Sequence, residues 1–464
     1  MYIFTIVREV IATPALLVGL VTLAGLLLQK KPFAYIVKGT VTAVVGFILL
    51  SAGSDFLQNG ALKDFGVLFA YDFHIQGVIP NMEAIASLGI AQYASEVSAV
   101  MLLGMIANLI MARLGPFPYI FLTGHHTLYM ACLLTVVLHG GGISGWRVIL
   151  GSALVLGLFM AMMPAVAQKE MKKITGEDKI AFGHFSTIGC VAAARIARLA
   201  TGKKQHKDTE DIRFSSKVSF MRDSTVGIFI VMTAVFLVEA GIAAARTDLA
   251  ALDISYGAGG GQNWVIYAMI QGAQFSAAIY IILSGVRLIV GEIVPAFKGI
   301  AKRLVPHAKP AVDCPIVFSY APNGVMIGFL MSFLGGIVTM AALMGINAWY
   351  GTRLVPVIVP GVVAHFFCGA SAGVFSNAEG GVKGCMIGSF VHGILISVLA
   401  LAVMPVLGTL HLSGTSFSDA DFCIAGIVFG NLASVLPDDG IFPLCVCCFF
   451  VPIVWEQVKR RRKI

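Results

Sequence analysis

Three histidines and an aspartate sit where a lipid-soluble chain has least reason to keep them. FLTGHHTLYM (121–130) puts Thr123, His125, His126 and Tyr129 in an apolar run, and AFGHFSTIGC (181–190) centres His184 in an apolar island of a basic loop. DCPIVFSYAPN (313–323) places Asp313, Ser319 and Asn323 at the mouth of a run long enough to cross a bilayer. Two more breaks are LLSAGSDFLQNG (49–60), with Ser54 and Asp55, and AHFFCGASAGVFSNAEGG (364–381), with His365, Asn377 and Glu379. Polar groups inside apolar segments are costly, so each break is a candidate binding site or pathway. A carboxylate accepts several hydroxyl hydrogens and a neutral imidazole can donate and accept, which suits a polyhydroxylated solute in a water-poor pocket. Asp313 has a second open role, as an N-cap or as the partner of a base such as Lys309. His125 and His184 are favoured as functional over His139, His392 and His411.

The elements that position these groups must be membrane helices. Hydrophobic residues make up 58% of the 464 and charged residues 12%, and mean hydropathy is +0.89, which excludes a water-soluble globule. The basic residues behind the net charge of +8 are spread over a few joints and not along one face, so no nucleic-acid partner is expected. The nine cysteines lie mostly in apolar runs, including CVCC at 445–448, without the paired CxxC spacing of a zinc site, and are read as small buried residues, with no metal and no cofactor. SYGAGGGQ (255–262) lacks the Lys-Ser/Thr ending of a phosphate loop and marks only a loop.

Apolar runs at 11–28, 41–52, 97–111, 119–138, 148–166, 226–244, 264–284, 325–344, 355–367, 384–407 and 422–454 predict about eleven crossings, the last broken or unbroken at LPDDG. Lys and Arg gather at 30–38, 113, 168–223, 287–309, 383 and in the tail from 460, which puts the N-terminus outside and the C-terminus inside. ILLSAGSDFL from Ile48 pairs with IILSGVRLIV from Ile281, and ARLGPF from Ala112 with TRLVPV from Thr352, at similar offsets. An inverted repeat of about five spans is expected, with copies over about 1–220 and 221–420 and a final span over 421–464, all in one membrane domain of residues 1–464. Pro315 and Pro322 cannot continue an intramembrane helix without freeing backbone groups, so DCPIVFSYAPN reads as a re-entrant turn lining a cavity. The preceding RLIVGEIVPAFKGIAKRLVPHAK suits either a helix along the inner interface or an ordinary loop helix.

With these residues in hand, the chain resembles the membrane-spanning IIC components of ascorbate-type sugar phosphotransferase systems, in the wider ascorbate and galactitol group. The resemblance is carried by SGVRLIVGEIVPAFKGIAKRLVPHAKPAVDCPIVFSYAPNGVMIGF (284–329), KGTVTAVVGFILLSAGS from Lys38, TGH at 123–125, FGH at 182–184 and GVFSNAEGG from Gly373. It implies an all-α polytopic protein of the bacterial cytoplasmic membrane, a homodimer with core and scaffold domains and two re-entrant hairpins, transporting by an elevator-like movement. It also implies a sugar or sugar-acid solute, phosphorylated from a phosphocysteine on a separate IIB protein fed by IIA. Inner-face bases such as Arg287, Lys298 or Lys302 would help neutralise the phosphoryl group.

By the same resemblance Ser54, His125, His184 and Asp313 would contact the sugar. Asn81 and Met82 stand where ascorbate members have Thr-Tyr, Tyr129 stands for a glutamine, and Phe185, Ser186 and Thr187 replace a glutamine-rich run. These exchanges change which hydroxyls can be paired and point to ascorbate or a related sugar acid, pentitol or hexitol. The rival reading is an ion-coupled secondary transporter with Asp313, His125 and Glu379 carrying protons.

Overall fold

A computed structural model describes residues 29–462 apart from 75–76, 203–205, 213–219, 221–222, 257–262, 306, 352–353, 409–415 and 437, with a few further residues between 15 and 27. The expected span at 11–28 lies largely outside the described residues, as do His411 and part of the SYGAGGGQ loop.

Helices dominate because apolar side chains and internally paired backbone are what lipid tolerates. In chain order they are α1 (Phe33–Leu57), α2 (Lys63–Phe73), α3 (Met82–Leu114), α4 (Gly124–Gly140), α5 (Trp146–Thr175), α6 (Thr187–Thr201), α7 (Ser224–Ala244) and α8 (Trp264–Leu304). There follow α9 (Pro315–Phe318), α10 (Pro322–Tyr350), α11 (Val362–Gly408), α12 (Ala420–Val435) and α13 (Asp438–Arg461). Eight described helical segments are long and apolar enough to cross a membrane, so the chain is a multi-pass membrane protein. They are Phe33–Phe73, Gln92–Leu114, Trp146–Thr175, Thr225–Ala244, Trp264–Ile281, Pro322–Tyr350, Val362–Gly408 and Gly440–Arg461.

The structure redraws several sequence boundaries. The run at 119–138 splits into a strand and the short, buried α4. The runs at 355–367 and 384–407 join in α11, which carries a π-helical turn at His365–Gly369 and kinks at Gly381, where φ is 58°. A side chain at Gly381 would be strained and would strike the Lys207 carbonyl oxygen at 2.3 Å. The run at 422–454 breaks near LPDDG into α12 and α13. The segment that suited an interfacial or a loop helix is the continuation of α8, which runs from Trp264 to Leu304.

Packing sorts the helices into two groups. α1, α2, α7 and α8 pack together, while α3 to α6 and α10 to α13 form the other group, in which α11 lies against α6 and α10. Short strands join the chain where helices end. β2 (Tyr119–Phe121), β4 (Lys309–Val312) and β3 (Ala181–Phe182) form a parallel sheet in the order β2-β4-β3. β1 (Gly77–Val78) pairs in parallel with β5 (Val357–Ile358), and Pro80 bridges to Ser416.

Candidate functional site

Parallel pairing makes β2, β3 and β4 end on the same side, and each strand hands the chain directly to one of the polar motifs. β2 leads to Thr123 and His125, β3 to His184, and β4 to Asp313. The register is fixed by backbone bonds from Leu122 N–H to the Ala311 carbonyl (2.9 Å) and from Gly183 N–H to the Val312 carbonyl (2.7 Å). Asn108 of α3 pins β2 from behind, donating to the Tyr119 carbonyl and accepting from Phe121 N–H, both at 3.1 Å. The Thr123 hydroxyl donates to the Gly183 carbonyl, tying the first two motifs together. Only glycine fits at 183, because a Cβ there would lie 2.5 Å from the Ala311 carbonyl.

The second pair of strands supplies the opposite wall. β1 runs into Asn81 and Met82, and β5 into Gly361 to Ala364. Asn81 N–H donates to the Ser416 carbonyl at 2.9 Å, bringing up Ser418 and Asp419 ahead of α12.

Together these segments enclose a cavity of about 220 Å³. Asn81, Met82, His125, His126, Tyr129, His184 and Asp313, all singled out in the sequence, line it. His125 Nε2 lies 3.6 Å from Asp313 Oδ2, and His184 Nε2 lies 4.0 Å from Asp313 Oδ1. His184 Nδ1 is 2.8 Å from the Ser186 hydroxyl and 3.8 Å from Asp419 Oδ2. The His126 and His184 rings approach to 3.7 Å between centroids, and His126 Nδ1 accepts Phe185 N–H at 3.2 Å. That bond leaves the neutral His126 ring its proton on Nε2. Ile79, Met82, Val362, Val363 and Phe367 add an apolar side, while Arg287 brings a cation to the rim. The site thus offers carboxylate and imidazole partners along one edge and hydrocarbon along another.

Phe185 and Ser186 stand behind the cavity, both fully buried, and orient the histidines. Ser54 falls in α1, and its side chain lies outside what is described; Asp55 is exposed on the same helix. The side chains of Lys298 and Lys302 likewise lie outside the described set. Ser319 is exposed and bonds its own turn at the Ile316 carbonyl. Asn323 clamps the 209–212 turn through the Thr209 and Ile212 carbonyls, and Asn377 accepts Thr209 N–H and donates to Asp208. Asn377 and Glu379, the latter paired with Lys173, line a separate polar cleft of about 360 Å³ with His206 and Tyr320. The segment 313–321 therefore touches the histidine-lined cavity at Asp313 and Cys314 and this cleft at Tyr320 and Ala321.

Sequence reasoning missed Ser418, Asp419 and Asp421. Asp421 accepts the Thr187 and Ile188 amides at 3.0 and 2.8 Å, capping α6 from another helix and fixing the turn that bears His184. The signal available was SFSDAD (416–421), a capping-type cluster ahead of an apolar run. Donor atoms of His125, His126 and Asp313, of His126, His184 and Asp419, and of His184, Asp313 and Cys314 each fall within 4.8 Å of one another. Such sets could hold a divalent cation, a grouping that residue spacing alone did not disclose.

Outside the membrane, Asp178 anchors the sheet. It accepts from Lys172, Lys309 and Gln168 at 2.7, 2.6 and 2.8 Å, and these donors hold its carboxyl well below the usual carboxylate range. Lys309 opens β4, so the anchor ties the end of α5 to the strand that carries Asp313.

Comparison with known proteins agrees with the motifs. A protein from Mycoplasma pneumoniae, described as an ascorbate-specific PTS system EIIC component, is 26% identical over 483 aligned positions, covering 93% of this chain and 72% of that protein. The family model for the sugar-specific permease component of the phosphotransferase system, EIIC-GAT, matches residues 9–421. The cavity of imidazoles and carboxylates thus sits in a chain that belongs to the EIIC-GAT family of phosphotransferase sugar permeases.

Proposed function

We propose that the cavity binds one molecule of ascorbate or of a related sugar acid, pentitol or hexitol, and presents it for phosphorylation by a separate IIB protein. The observation that carries this reading is the convergence of His125, His184 and Asp313 from three parallel strand ends on one cavity of about 220 Å³, with Asn81, Met82 and Tyr129 around it. Hydroxyls of the solute pair with Asp313, Asp419 and the two imidazoles, while its carbon face packs on Met82, Val363 and Phe367. Phosphorylation then changes the solute so that it no longer fits as before, which makes uptake one-way. IIA feeds IIB, and no residue of this chain needs to carry the phosphoryl group.

The elevator-like movement, core and scaffold division, homodimer and N-outside orientation belong to the same reading. The inverted repeat is supported by the strand order, because matching β1 with β4, β2 with β5 and β3 with the Ser416 bridge turns the sheet β2-β4-β3 into β5-β1-Ser416. The separation of α1, α2, α7 and α8 from the remaining helices supports two bodies that move against each other.

The test is reconstitution in inside-out vesicles with phosphoenolpyruvate, the general phosphocarriers and cognate IIA and IIB, assayed with a panel of labelled sugars. A phosphorylated product that needs both IIB and this chain supports the reading and names the solute. The second reading, ion-coupled transport, is favoured by the grouping of His125, His184, Asp313 and Asp419 in one cavity. It prevails if a solute accumulates with a proton or sodium gradient and stays unphosphorylated.

A further inference from the structure

Three sets of donor atoms meet in the histidine-lined cavity, and the hydrogen bonds around them decide which set has lone pairs to share. His126 has none. Its Nδ1 accepts Phe185 N–H at 3.2 Å, so the neutral ring carries its proton on Nε2. That removes the two sets built on His126 and leaves His184, Asp313 and Cys314, whose donor atoms lie within 4.8 Å of one another.

His184 is oriented as a ligand. Its Nδ1 stands 2.8 Å from the Ser186 hydroxyl and 3.8 Å from Asp419 Oδ2. Oxygens behind the ring favour a proton on Nδ1, which leaves the lone pair on Nε2, the tautomer of a metal-bound imidazole. That Nε2 lies 4.0 Å from Asp313 Oδ1, too far for a hydrogen bond. Nitrogen and oxygen ligands on a tetrahedral ion with bonds of about 2.0–2.1 Å stand roughly 3.3–3.4 Å apart, so a shift of about 0.6 Å closes the pair on one cation. Asp313 is held from two sides, by Cys314 N–H at 2.7 Å from Oδ1 and by His125 Nε2 at 3.6 Å from Oδ2. The backbone frames the set, because the bond from Gly183 N–H to the Val312 carbonyl at 2.7 Å puts residues 184 and 313 side by side at two strand ends. Cys314 and His184 are 1% and 3% exposed, whereas the Asp313 side chain is 36% exposed, so an ion would enter past Asp313.

We propose that His184 Nε2, Asp313 Oδ1 and Cys314 Sγ form a three-ligand site for a divalent cation of the zinc class, with its fourth position open to the cavity. Imidazole, carboxylate and thiolate together favour such a borderline-soft ion over magnesium or calcium, which take oxygen ligands. On binding, Cys314 gives its thiol proton to solvent as the sulfur–metal bond forms, and release reverses both steps without moving an electron. Cysteine spacing does not announce the site, because the partners of Cys314 are its chain neighbour and a residue about 130 positions back. The site does not depend on which solute the cavity takes.

The full chain in lipid nanodiscs, stripped with a chelator and titrated with Co²⁺, tests this. Expected are saturation at one ion per chain, the intense visible bands of four-coordinate cobalt, a thiolate-to-cobalt charge-transfer band in the near ultraviolet, and loss of all bands on adding Zn²⁺. Cys314→Ser should remove the charge-transfer band. His184→Ala and Asp313→Ala should weaken binding by more than about 100-fold, and Ser186→Ala by about 10-fold. Absence of the charge-transfer band in the wild type overturns the proposal, as does Co²⁺ affinity that Asp313→Ala leaves unchanged. Bands unchanged in Cys314→Ser also overturn it and would place the ion at another cysteine, such as the exposed Cys447. Where His184→Ala does not fold, Cys314→Ser, which exchanges a single atom, decides.

Discussion

The histidine-lined cavity and the α2–α7–α8 helix cluster, which holds Asp64, Asp72 and Glu239, both bury acids in a membrane protein, but on different backbone. In the cavity, His184, Asp313 and Asp419 lie on non-helical chain between strands and helix starts. Cys314 N–H reaches Asp313 at 2.7 Å, and Asp421 just beyond takes two amides of α6. In the cluster, Asp72 lies in the last turn of α2 and Glu239 inside α7, helices whose amides are already used by their own carbonyls. Acids in both regions are served by backbone amides from other elements, Asp421 by α6 and Asp64 by the loop before α8.

The sharpest way to break this comparison is to change the acid that meets both histidines in the cavity. Asp313→Asn should weaken solute binding by about 10- to 100-fold, the loss of a charge-assisted hydrogen bond, while folding is retained. Isothermal titration with the solute found in the phosphorylation panel, alongside size-exclusion of the purified variant, checks both halves of that statement. Unchanged affinity would remove Asp313 from the site.

An effect of about the same size, on stability and not on binding, should follow when the frame is altered. Gly183→Ala drives a methyl group into the Ala311 carbonyl and should cost about 1–3 kcal/mol of stability by parting β3 from β4. The midpoint of thermal unfolding measures it. On the cluster side, Asp64→Asn replaces an acceptor serving three donors by an amide and should cost about 1–3 kcal/mol. An unchanged midpoint would mean that these donors do not hold Asp64, and the comparison would fail.

The smallest effect belongs to Asp178, whose carboxyl is depressed by Lys172, Lys309 and Gln168 at an exposed site. A depressed carboxyl contributes stability that is fully present above its unfolded value of about 4 and fades as pH falls toward the folded one. Acid unfolding of the wild type and Asp178→Asn should therefore converge below about pH 4, and added salt should narrow the gap between them at neutral pH.

Much of the membrane architecture was legible because it depends on composition and run length. The two offset matches, Ile48 with Ile281 and Ala112 with Thr352, fall near the ends of α1 and α3 and on α8 and just before β5. Helix ends were less legible: α11 joins two expected spans across Gly381, and the run at 422–454 separates at LPDDG, because local hydropathy does not report a kink or a cap. In the site, His125, His184 and Asp313 announced themselves as polar residues in apolar surroundings. Asp419 and Asp421 did not, because next to a loop an acid needs no explanation until its partners 230 residues away are known.

The sequence by itself determined that this chain lives in a membrane, that its polar breaks are few, and which sugar-permease family those breaks resemble, since the cost of burying charge in lipid is a property of residues and their neighbours in the chain. Only the tertiary structure decided which breaks share a cavity. Asp313 meets His125 and His184 through two parallel strand pairings, while Asn377 and Glu379 go to a different cleft. Nor could the sequence show that Asp64 has three donors, because they lie about 190 to 207 positions away and come within reach only when α2 packs against α8 and the loop before it.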